Sequence, residues 1–377
     1  MALLVINFLT GFLTFVYFMV VLFFRRGWLR IKLYHPTVKA PQTRVSILIA
    51  ARNEENNISH TIQDILEQSY PAELMELIIV DDHSADRTSD VVLSFSDPRV
   101  KLIRLDEKGK LNSYKKKAIT EAIKLSGGEL IITTDADCRM KEEWLGTIVS
   151  FYEKNDSKLI SSPVIYHQEK SFFERLQTLE FLYLIGLGAS SIGNRTPSTC
   201  NGANLAYRRD VFFELDGFKG IDDLASGDDE LFLHKVAERY PDGIGFCKSL
   251  SAVVYTQAKE NLKEFIRQRK RWASKSTRYK NKSIVTLGVL IWLFNLMLLV
   301  TAAAGFADPV FWRTCLWALL FKFFCEAAFL LPLTQFARRR ELIYYLPLLT
   351  IVHVVYMIFI GIAGNSGKYV WKGRVVR

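Results

Sequence analysis

ELIITTDAD, residues 129–137, is the stretch that decides the fold. Its apolar part is typical of a buried strand, and the strand ends at Asp135 and Asp137, which are separated by a single alanine. Alternation along an extended backbone puts both carboxylates on the same side of the chain. Two carboxylates in this arrangement can hold a hard divalent ion such as Mg2+ or Mn2+, although a lone Asp-x-Asp is more often an ordinary polar turn.

The residues around this stretch alternate between short apolar runs and amphipathic helical segments, from about residue 44 to residue 260. Residues 45–49 and 77–80 are compact and apolar, as central parallel strands are, and residues 56–68 between them have helical periodicity. The alternation predicts an α/β domain with a mostly parallel sheet. Binding loops in such sheets follow the carboxyl ends of the strands, and the polar motifs of this chain fall there.

Long apolar runs flank the predicted domain at both ends. Half of the 377 residues are apolar. The excess lies in residues 2–24, 284–306, 309–335 and 342–363. Each run is long enough for a bilayer crossing, which needs about 20 residues. The run 309–335 carries Lys322 and Glu326, which are four residues apart and could pair on one helix face.

The basic residues behind the net charge of +10 flank these runs, as Arg25, Arg26 and Arg30 do after the first run. This pattern fits anionic lipid headgroups and the positive-inside rule, and it argues against a nucleic-acid partner. A cleaved signal peptide is the alternative for the first run, but no basic region precedes that run and arginines follow it. We therefore predict an integral membrane protein whose middle domain is cytoplasmic. The five cysteines show no paired or metal-type spacing, which agrees with a reducing compartment.

The predicted organisation has four parts. They are a membrane helix over residues 1–26, a globular domain over 40–275, about three membrane segments over 283–364 and a basic tail over 365–377. Three further crossings would put the basic tail outside the cell, against the positive-inside rule. A re-entrant or interfacial segment among the three would remove this conflict, and the sequence leaves that choice open.

Polar groups follow the first two predicted strands. Ala50, Arg52 and Glu54 come at the end of the first strand, where a nucleotide base could be read. Asp81 and Asp82 follow the second strand, and one of them could accept a hydrogen bond from the imide N–H of uracil, a donor that cytosine lacks. The alternatives are a helix N-terminus for the first group and a plain polar turn for the second.

Two further polar positions are candidate contacts for a nucleotide-sugar. Lys117 belongs to a basic run, residues 115–117, that could approach a diphosphate, whereas such runs are usually a solvated helix face. Asn204 follows Gly202, whose missing side chain could let the backbone approach a sugar ring. The amide of Asn204 could then bind sugar hydroxyls, and a structural turn is equally compatible with the sequence.

Acidic and basic-aromatic motifs complete the series. Asp228 and Asp229 precede a predicted helix, and a carboxylate held there could take the proton of an acceptor hydroxyl, although acids also stabilise helix N-termini in general. Gln268, Arg271 and Trp272 come just before the second apolar run. The indole offers a flat face to a sugar, and the other two side chains can reach diphosphate oxygens. The alternative is a basic-aromatic belt beside a membrane helix.

In this order the motifs resemble those of membrane-bound family 2 glycosyltransferases with a GT-A fold, a Rossmann-like nucleotide-sugar-binding domain with a mostly parallel sheet, here flanked by transmembrane helices. The chain is similar to cellulose, chitin, hyaluronan and poly-N-acetylglucosamine synthases and to ceramide glucosyltransferases. The resemblance covers about residues 44–275 and the flanking helices. The tail sequence WKGR, residues 371–374, also resembles the tails of small bacterial members.

The resemblance implies roles for the motifs. The predicted nucleotide-sugar-binding residues are Ala50, Arg52, Glu54, Asp81, Asp82, Lys117, Asp135 and Asn204. Asp137, together with Asp135, would ligate Mg2+ or Mn2+. Asp228 would be the catalytic base, with Asp229 as the alternative, because this chain has SGDD at residues 226–229 where the family often has Thr-Glu-Asp. The predicted acceptor and diphosphate contacts, the family's Q-x-x-R-W element, are Gln268, Arg271 and Trp272.

Three functions remain open at this point. The first is an inverting, metal-dependent glycosyltransferase in the bacterial inner membrane that moves a sugar from a nucleotide-sugar, with UDP favoured by the resemblance, to a lipid or lipid-linked acceptor. The second is a processive polysaccharide synthase, which the Q-x-x-R-W element favours. About four spans would make a poor polymer channel without a homo-oligomer or a partner subunit. The third, an inactive membrane scaffold, is disfavoured by the intact acidic motifs.

Overall fold

The computed structural model describes residues 2–36, 41–107, 109, 111–364, 369–371 and 374–376. The helices are α1 (Ala2–Arg30), α2 (Ile58–Leu66), α3 (Thr88–Leu93), α4 (Tyr114–Leu125), α5 (Trp144–Asn155), α6 (Phe172–Gly193), α7 (Arg209–Glu214), α8 (Glu230–Arg239), α9 (Leu262–Ser274), α10 (Lys282–Ala304), α11 (Val310–Phe336) and α12 (Leu346–Ala363). The strands are β1 (Val45–Ala51), β2 (Met75–Asp81), β3 (Val100–Arg104), β4 (Leu130–Thr134), β5 (Arg139–Met140), β6 (Leu159–Ser161), β7 (Val164–Tyr166), β8 (Leu205–Arg208), β9 (Ile244–Phe246), β10 (Val254–Thr256), β11 (Tyr369–Trp371) and β12 (Arg374–Val376).

The chain divides into two compact units. The first unit comprises Met1–Arg30, Glu169–Ser190 and Ala258–Gly367. The second unit comprises Ile31–Gln168, Ser191–Gln257 and Lys368–Arg377. The apolar runs at the two ends of the sequence therefore belong to the first unit, and most of the α/β alternation belongs to the second. Within the predicted globular domain, Glu169–Ser190 and the residues from Ala258 onwards belong to the first unit instead.

A seven-stranded sheet forms the centre of the second unit, in the order β3-β2-β1-β4-β8-β6-β9. The strands β1, β2, β3 and β4 are parallel to one another, whereas β8 is antiparallel to both of its neighbours. The predicted α/β fold with a mostly parallel sheet is therefore confirmed. A three-stranded sheet, β5-β10-β7, and the hairpin of β11 and β12 complete the strands of the described residues.

Apolar packing on this sheet fixes the position of α4. Ile119 and Ile123 of α4 are buried in one cluster with Leu48 of β1 and Ile78 of β2. Residues four apart share one face of a helix, so this spacing presses one side of α4 against the strands. Because α4 connects the parallel strands β3 and β4, its first turn follows the carboxyl end of β3, at the same edge of the sheet as the loops after β1 and β2.

The first unit is built mainly from long apolar helices. Among the residues that the structure describes, four helices are long and apolar enough to cross a bilayer, by length and composition alone: Leu4–Arg30, Lys282–Ala304, Val310–Phe336 and Arg340–Ala363. These ranges agree with the four apolar runs of the sequence. Most of their surface is not covered inside the unit, which is the expected condition of helices that face lipid.

A buried polar cluster lies among these helices. Lys322 and Glu326 form an ion pair, with 2.5 Å between Nζ and Oε1. The hydroxyls of Tyr17 and Thr350 donate to the two oxygens of Glu326, at 2.9 and 2.7 Å. The pairing of Lys322 with Glu326 predicted from their spacing is confirmed, and its partners connect α1, α11 and α12.

Candidate active site

One ammonium group joins two acidic motifs that are far apart in the sequence. Lys115 Nζ lies 2.8 Å from Oδ1 of Asp135, just after β4, and 3.2 Å from Oδ2 of Asp228, just before α8. The side chain of Lys115 is 19% exposed and that of Asp228 is 11% exposed. Burial opposes the charge on Lys115, but Asp135 and Asp228 outweigh that effect and raise the pKa of its ammonium. The structure therefore brings the two predicted acidic motifs into one site.

The helical period of α4 explains why Lys115, and not Lys117, reaches this site. Lys115 shares a face with Ile119, which is buried, whereas Lys117 lies on the outer face and pairs with Glu107 at 2.9 Å and Glu121 at 3.2 Å. The sequence already contained this signal, because the apolar spacing of the helix extends back to residue 115 and not to residue 117. A role for Lys117 in nucleotide-sugar binding stays a prediction.

Asp228 and Asp229 differ in what their carboxylates contact. Both oxygens of Asp229 accept backbone N–H groups, from Glu230 at 2.6 Å and from Gly202 at 3.1 Å. Asp229 is the N-cap of α8, and it ties this helix to the loop before β8. Asp228 directs its carboxylate to Lys115 instead. Asp229 therefore stabilises the local backbone, whereas Asp228 pairs with a charged side chain.

Gly202 lies against both aspartates. A Cβ atom at this position would come within 3.3 Å of Asp229 Cβ and 3.4 Å of Asp228 Oδ2. The missing side chain thus allows the backbone of this loop to approach the acidic motif closely. The sequence pointed to Gly202 as a place of close approach, and its neighbours in the structure are the two candidate bases.

The loops after β1 and β2 are joined by hydrogen bonds. Ala50 is paired with Val80 across the two strands. The guanidinium of Arg52 donates from Nη1 to the carbonyls of Asp82 at 2.7 Å and His83 at 2.9 Å. The predicted nucleoside contacts Ala50, Arg52 and Asp82 therefore meet at one edge of the sheet.

Glu54 and Asp81 also lie in these loops. The backbone N–H of Glu54 donates to Thr88 Oγ1 at 2.8 Å. The carboxylate of Asp81 is buried and accepts from Ser84 N at 2.9 Å and from Ser89 Oγ at 2.5 Å. These bonds fix the turn that follows β2, so part of the polar character of both motifs serves the loop itself.

The C-terminal hairpin contributes an arginine to this edge. Arg374 Nη1 lies 2.9 Å from each carboxylate oxygen of Asp82, and its guanidinium lies 3.7 Å from the centre of the Tyr114 ring. Burial, and then the nearby charge of Arg374, lower the pKa of Arg52. Lys372 and Gly373 of the tail motif lie outside the described residues. No sequence pattern links two residues so far apart, so this contact could not be predicted.

Asn204 is fully buried in the second unit. Its Nδ2 donates to the carbonyls of Pro163 and Ala252, both at 2.8 Å, and its Oδ1 accepts from Trp144 Nε1 at 3.0 Å. These three bonds join the loop before β8 to α5 and to the segments that precede β7 and β10. A role for Asn204 in binding the sugar stays a prediction, and the contacts in the structure are those of a packing residue.

The Gln268, Arg271 and Trp272 motif lies on α9, in the first unit. The guanidinium of Arg269, which is buried, lies 4.2 Å from the centre of the Trp272 ring and forms an ion pair with Glu180 of α6. Trp272 is half-buried, and one face of its indole packs against the guanidinium of Arg269 in a cation–π contact. The contacts of Arg269 give the tryptophan a defined orientation on the helix.

Comparison with known proteins identifies the fold of this site. Residues 46–215 match the family described as glycosyl transferase family 2. The chain carries a family 2 glycosyltransferase domain. The matched range contains the loops after β1 and β2, α4 and the Asp135-x-Asp137 motif, and it ends before Asp228.

Curated relatives of this domain act on different acceptors, according to their names. A glucosyl-dolichyl phosphate glucuronosyltransferase of Haloferax volcanii is 26% identical over 183 residues, which are 46% of this chain and 56% of that protein. A beta-monoglucosyldiacylglycerol synthase of Nostoc sp. is 28% identical over 121 residues, 32% of this chain and 26% of that protein. A poly-beta-1,6-N-acetyl-D-glucosamine synthase of Staphylococcus epidermidis is 27% identical over 145 residues, which are 38% of this chain and 34% of that protein. The chain spans about half of the length of the curated relatives it matches, or less.

A solved structure extends the likeness to almost the whole chain. The mannosyltransferase PcManGT from Pyrobaculum calidifontis, in complex with GDP-Man and Mn2+, has a TM-score of 0.60 at 19% identity, over 93% of this chain and 99% of that chain. This likeness concerns the fold, and it confirms the GT-A fold predicted from the sequence.

The family 2 domain has oxygen ligands that suit a divalent ion. Asp135 and Asp137 follow β4 and are both partly exposed. Among the described residues, no three His, Cys, Asp or Glu side chains come together as a complete metal site. Mg2+ and Mn2+ sites of nucleotide enzymes commonly use one or two carboxylates and take their remaining ligands from phosphates and water. Asp135 already contacts one cation, the ammonium of Lys115 at 2.8 Å, and Asp137 adds a second partly exposed carboxylate, so the residues present fit such an ion.

Proposed function

We propose that the protein is an inverting, metal-dependent glycosyltransferase that moves a sugar from a UDP-sugar to a lipid or lipid-linked acceptor at the cytoplasmic face of a membrane. The observation that carries the proposal is the position of Lys115 between Asp135 and Asp228. One cation and two carboxylates, from three separate segments of the second unit, form a polar centre that suits transfer from a nucleotide-sugar.

In the proposed reaction Asp228 is the general base. Its carboxylate accepts the proton of the acceptor hydroxyl, whose oxygen forms a bond to the anomeric carbon. The bond from that carbon to the diphosphate breaks, and the diphosphate leaves with the electron pair. A single displacement of this kind inverts the anomeric configuration and needs no covalent enzyme intermediate. The backbone contacts of Asp229 support the choice of Asp228, since both oxygens of Asp229 are already used.

The departing diphosphate needs positive charge. We assign this task to Lys115, whose raised pKa keeps it protonated, and to an ion held by Asp137 with Asp135. When bound, Mg2+ or Mn2+ would neutralise charge on the leaving nucleoside diphosphate. The assignment of UDP comes from the family resemblance, and GDP belongs in any test because the mannosyltransferase of similar fold contained GDP-Man.

A lipid acceptor is supported by the composition of the first unit. Four of its described helices are candidate membrane spans, and the names of two relatives include dolichyl phosphate and diacylglycerol. The polar side chains of Lys322, Glu326, Tyr17 and Thr350 bond to one another and are buried. Such mutual pairing is typical of a packed bundle, whereas a polymer channel needs polar groups that face an open path.

The second candidate is a processive polysaccharide synthase. The Q-x-x-R-W element, with Trp272 held by Arg269, is the observation that favours it, and one relative is a poly-N-acetylglucosamine synthase. The two candidates share the donor site and the chemistry. They differ in the acceptor and in the length of the product.

The proposal is tested by release of nucleoside diphosphate from purified protein in detergent with Mg2+ or Mn2+. A panel of UDP- and GDP-sugars is supplied with and without a lipid extract. We expect release from a UDP-sugar that rises when lipid is added and stops when the metal is chelated. Release without lipid, with growing high-mass product, would support the synthase instead, and no release from any donor under any condition would contradict both.

A further inference from the structure

Lys116 is a buried lysine that the proposed mechanism leaves without a task. Its side chain is 2% exposed. The Nζ atom donates to three backbone carbonyls, those of Ile221 at 2.5 Å, Leu224 at 2.9 Å and Ser226 at 2.8 Å. An ammonium group has three N–H donors, so these bonds satisfy it completely.

Burying this charge has a cost that a simple packing residue would avoid. Burial lowers the pKa of Lys116, and the negative charges of Asp228 and Asp229 oppose that shift. A methionine would fill the same space without any buried charge, so the specific gain at this position is the set of bonds to the carbonyls. Bonds from a charged donor are the stronger kind of hydrogen bond, which suits a group that must fix a loop.

The segment that these carbonyls belong to leads directly into the acidic motif. Among the described residues, 215–229 form no helix or strand between α7 and α8. Gly227 follows Ser226 with a φ of +88°, a conformation that glycine adopts readily, and a Cβ there would meet the side chain of Leu231 at 2.9 Å. Asp228 is the next residue. Only Gly227 therefore separates Ser226, whose carbonyl Lys116 holds, from the candidate base.

We propose that Lys116 is a positioning residue for Asp228. It fixes the backbone of residues 221–226, while its neighbour Lys115 contacts the Asp228 carboxylate itself. Two lysines of the first turn of α4 thereby hold Asp228. Lys116 binds the backbone segment that precedes Asp228, and Lys115 binds the Asp228 carboxylate. The inference rests on the proposed function, in which Asp228 accepts the acceptor proton.

The test is Lys116→Met, which keeps the unbranched side chain and removes the three hydrogen bonds. Lys124→Met is the matched control, because Lys124 lies on the same helix and pairs only at the surface with Glu121. A small displacement of a reacting group costs on the order of 10- to 100-fold in rate. We expect kcat for transfer to fall by about that factor in Lys116→Met, with the donor Kd within about threefold of wild type. Lys124→Met should match wild type in both.

A double-mutant cycle with Asp228→Asn separates positioning from packing. If Lys116 acts through Asp228, Lys116→Met lowers the rate of wild type but does not further lower the residual rate of Asp228→Asn. A kcat of Lys116→Met within twofold of wild type would overturn the inference. So would a loss of donor binding in step with kcat, or an equal loss in both backgrounds, because each marks a general packing role. If Asp228→Asn itself keeps wild-type turnover, Asp228 is not the base, and the proposed function is contradicted independently of Lys116.

Discussion

The two adjacent aspartates should separate catalysis from stability. Asp229→Asn keeps one oxygen to cap α8, and asparagine caps as well as aspartate does. It loses the second acceptor, so the N–H of Gly202 faces an amide N–H2 in place of the carboxylate oxygen at 3.1 Å. A hydrogen bond to a charged group contributes about 1.5–3 kcal/mol, so we expect the free energy of unfolding to fall by about that amount. For a domain of about 200 residues this lowers Tm by roughly 3–12 °C.

Asp228→Asn should behave in the opposite way. Lys115 loses one of its two carboxylate partners but keeps Asp135 at 2.8 Å, so its ammonium stays paired and the cost in stability should be well below the about 3–5 kcal/mol of a buried charge left uncompensated. Loss of a general base lowers the rate by about 10²- to 10⁴-fold. We therefore expect a protein that unfolds near the wild-type temperature, binds the donor and transfers almost no sugar.

The assay measures three quantities for each variant in the same detergent: nucleoside diphosphate release, donor Kd and Tm. Both substitutions keep the size of the side chain, so each controls for the other. Asp229→Asn should retain most of its turnover below its lowered Tm. If instead Asp229→Asn is stable and inactive while Asp228→Asn turns over normally, the division of roles is wrong and Asp229 is the base.

Three further predictions follow from other contacts. Asp137→Asn should abolish metal-dependent turnover, and near-normal activity would contradict the assigned metal ligand. Glu180→Gln removes the carboxylate that pairs with the buried guanidinium of Arg269 and should cost about 3–5 kcal/mol, whereas the pair Glu180→Leu with Arg269→Met should cost less; a thermal melt of each checks this. Gly128→Ala puts a Cβ 2.5 Å from the backbone N of Ser46 and should destabilise by about 1–3 kcal/mol, while Gly127→Ala, whose Cβ would lie at an ordinary contact distance of 3.7 Å from Glu76 Oε1, should not.

The sequence predicts the elements of this fold better than it predicts the pairing of its side chains. Residues 45–49, 77–80 and 130–134 are short and mostly apolar, and they form the buried strands β1, β2 and β4, as compact apolar runs do in parallel sheets. The short strands β6, β7, β9 and β10 have three residues each, too few for a periodic signal. Motif order was enough to predict the family and the GT-A fold.

The sequence places the acidic residues of the candidate site at the ends of predicted elements, but it does not choose among the three lysines of residues 115–117. The position of Asp135 and Asp228 at strand and helix ends follows from local pattern, whereas the choice between Lys115 and Lys117 required the helical period of α4 to be followed to its first turn. The bonds of Lys116 to residues 221–226 and of Arg374 to Asp82 join distant segments, and only the folded chain brings them together. Long-range polar contacts of this kind leave no periodic trace in the sequence.

We propose that this site adds a single sugar to a lipid by base catalysis at Asp228. The most direct measurement is mass spectrometry of a lipid extract after incubation with the donor that supports release, using wild type and Asp228→Asn in parallel. We expect one new lipid species, heavier by one glycosyl residue, from wild type and none from the variant. A ladder of long products from wild type, or the same lipid product from Asp228→Asn at an equal rate, would contradict it.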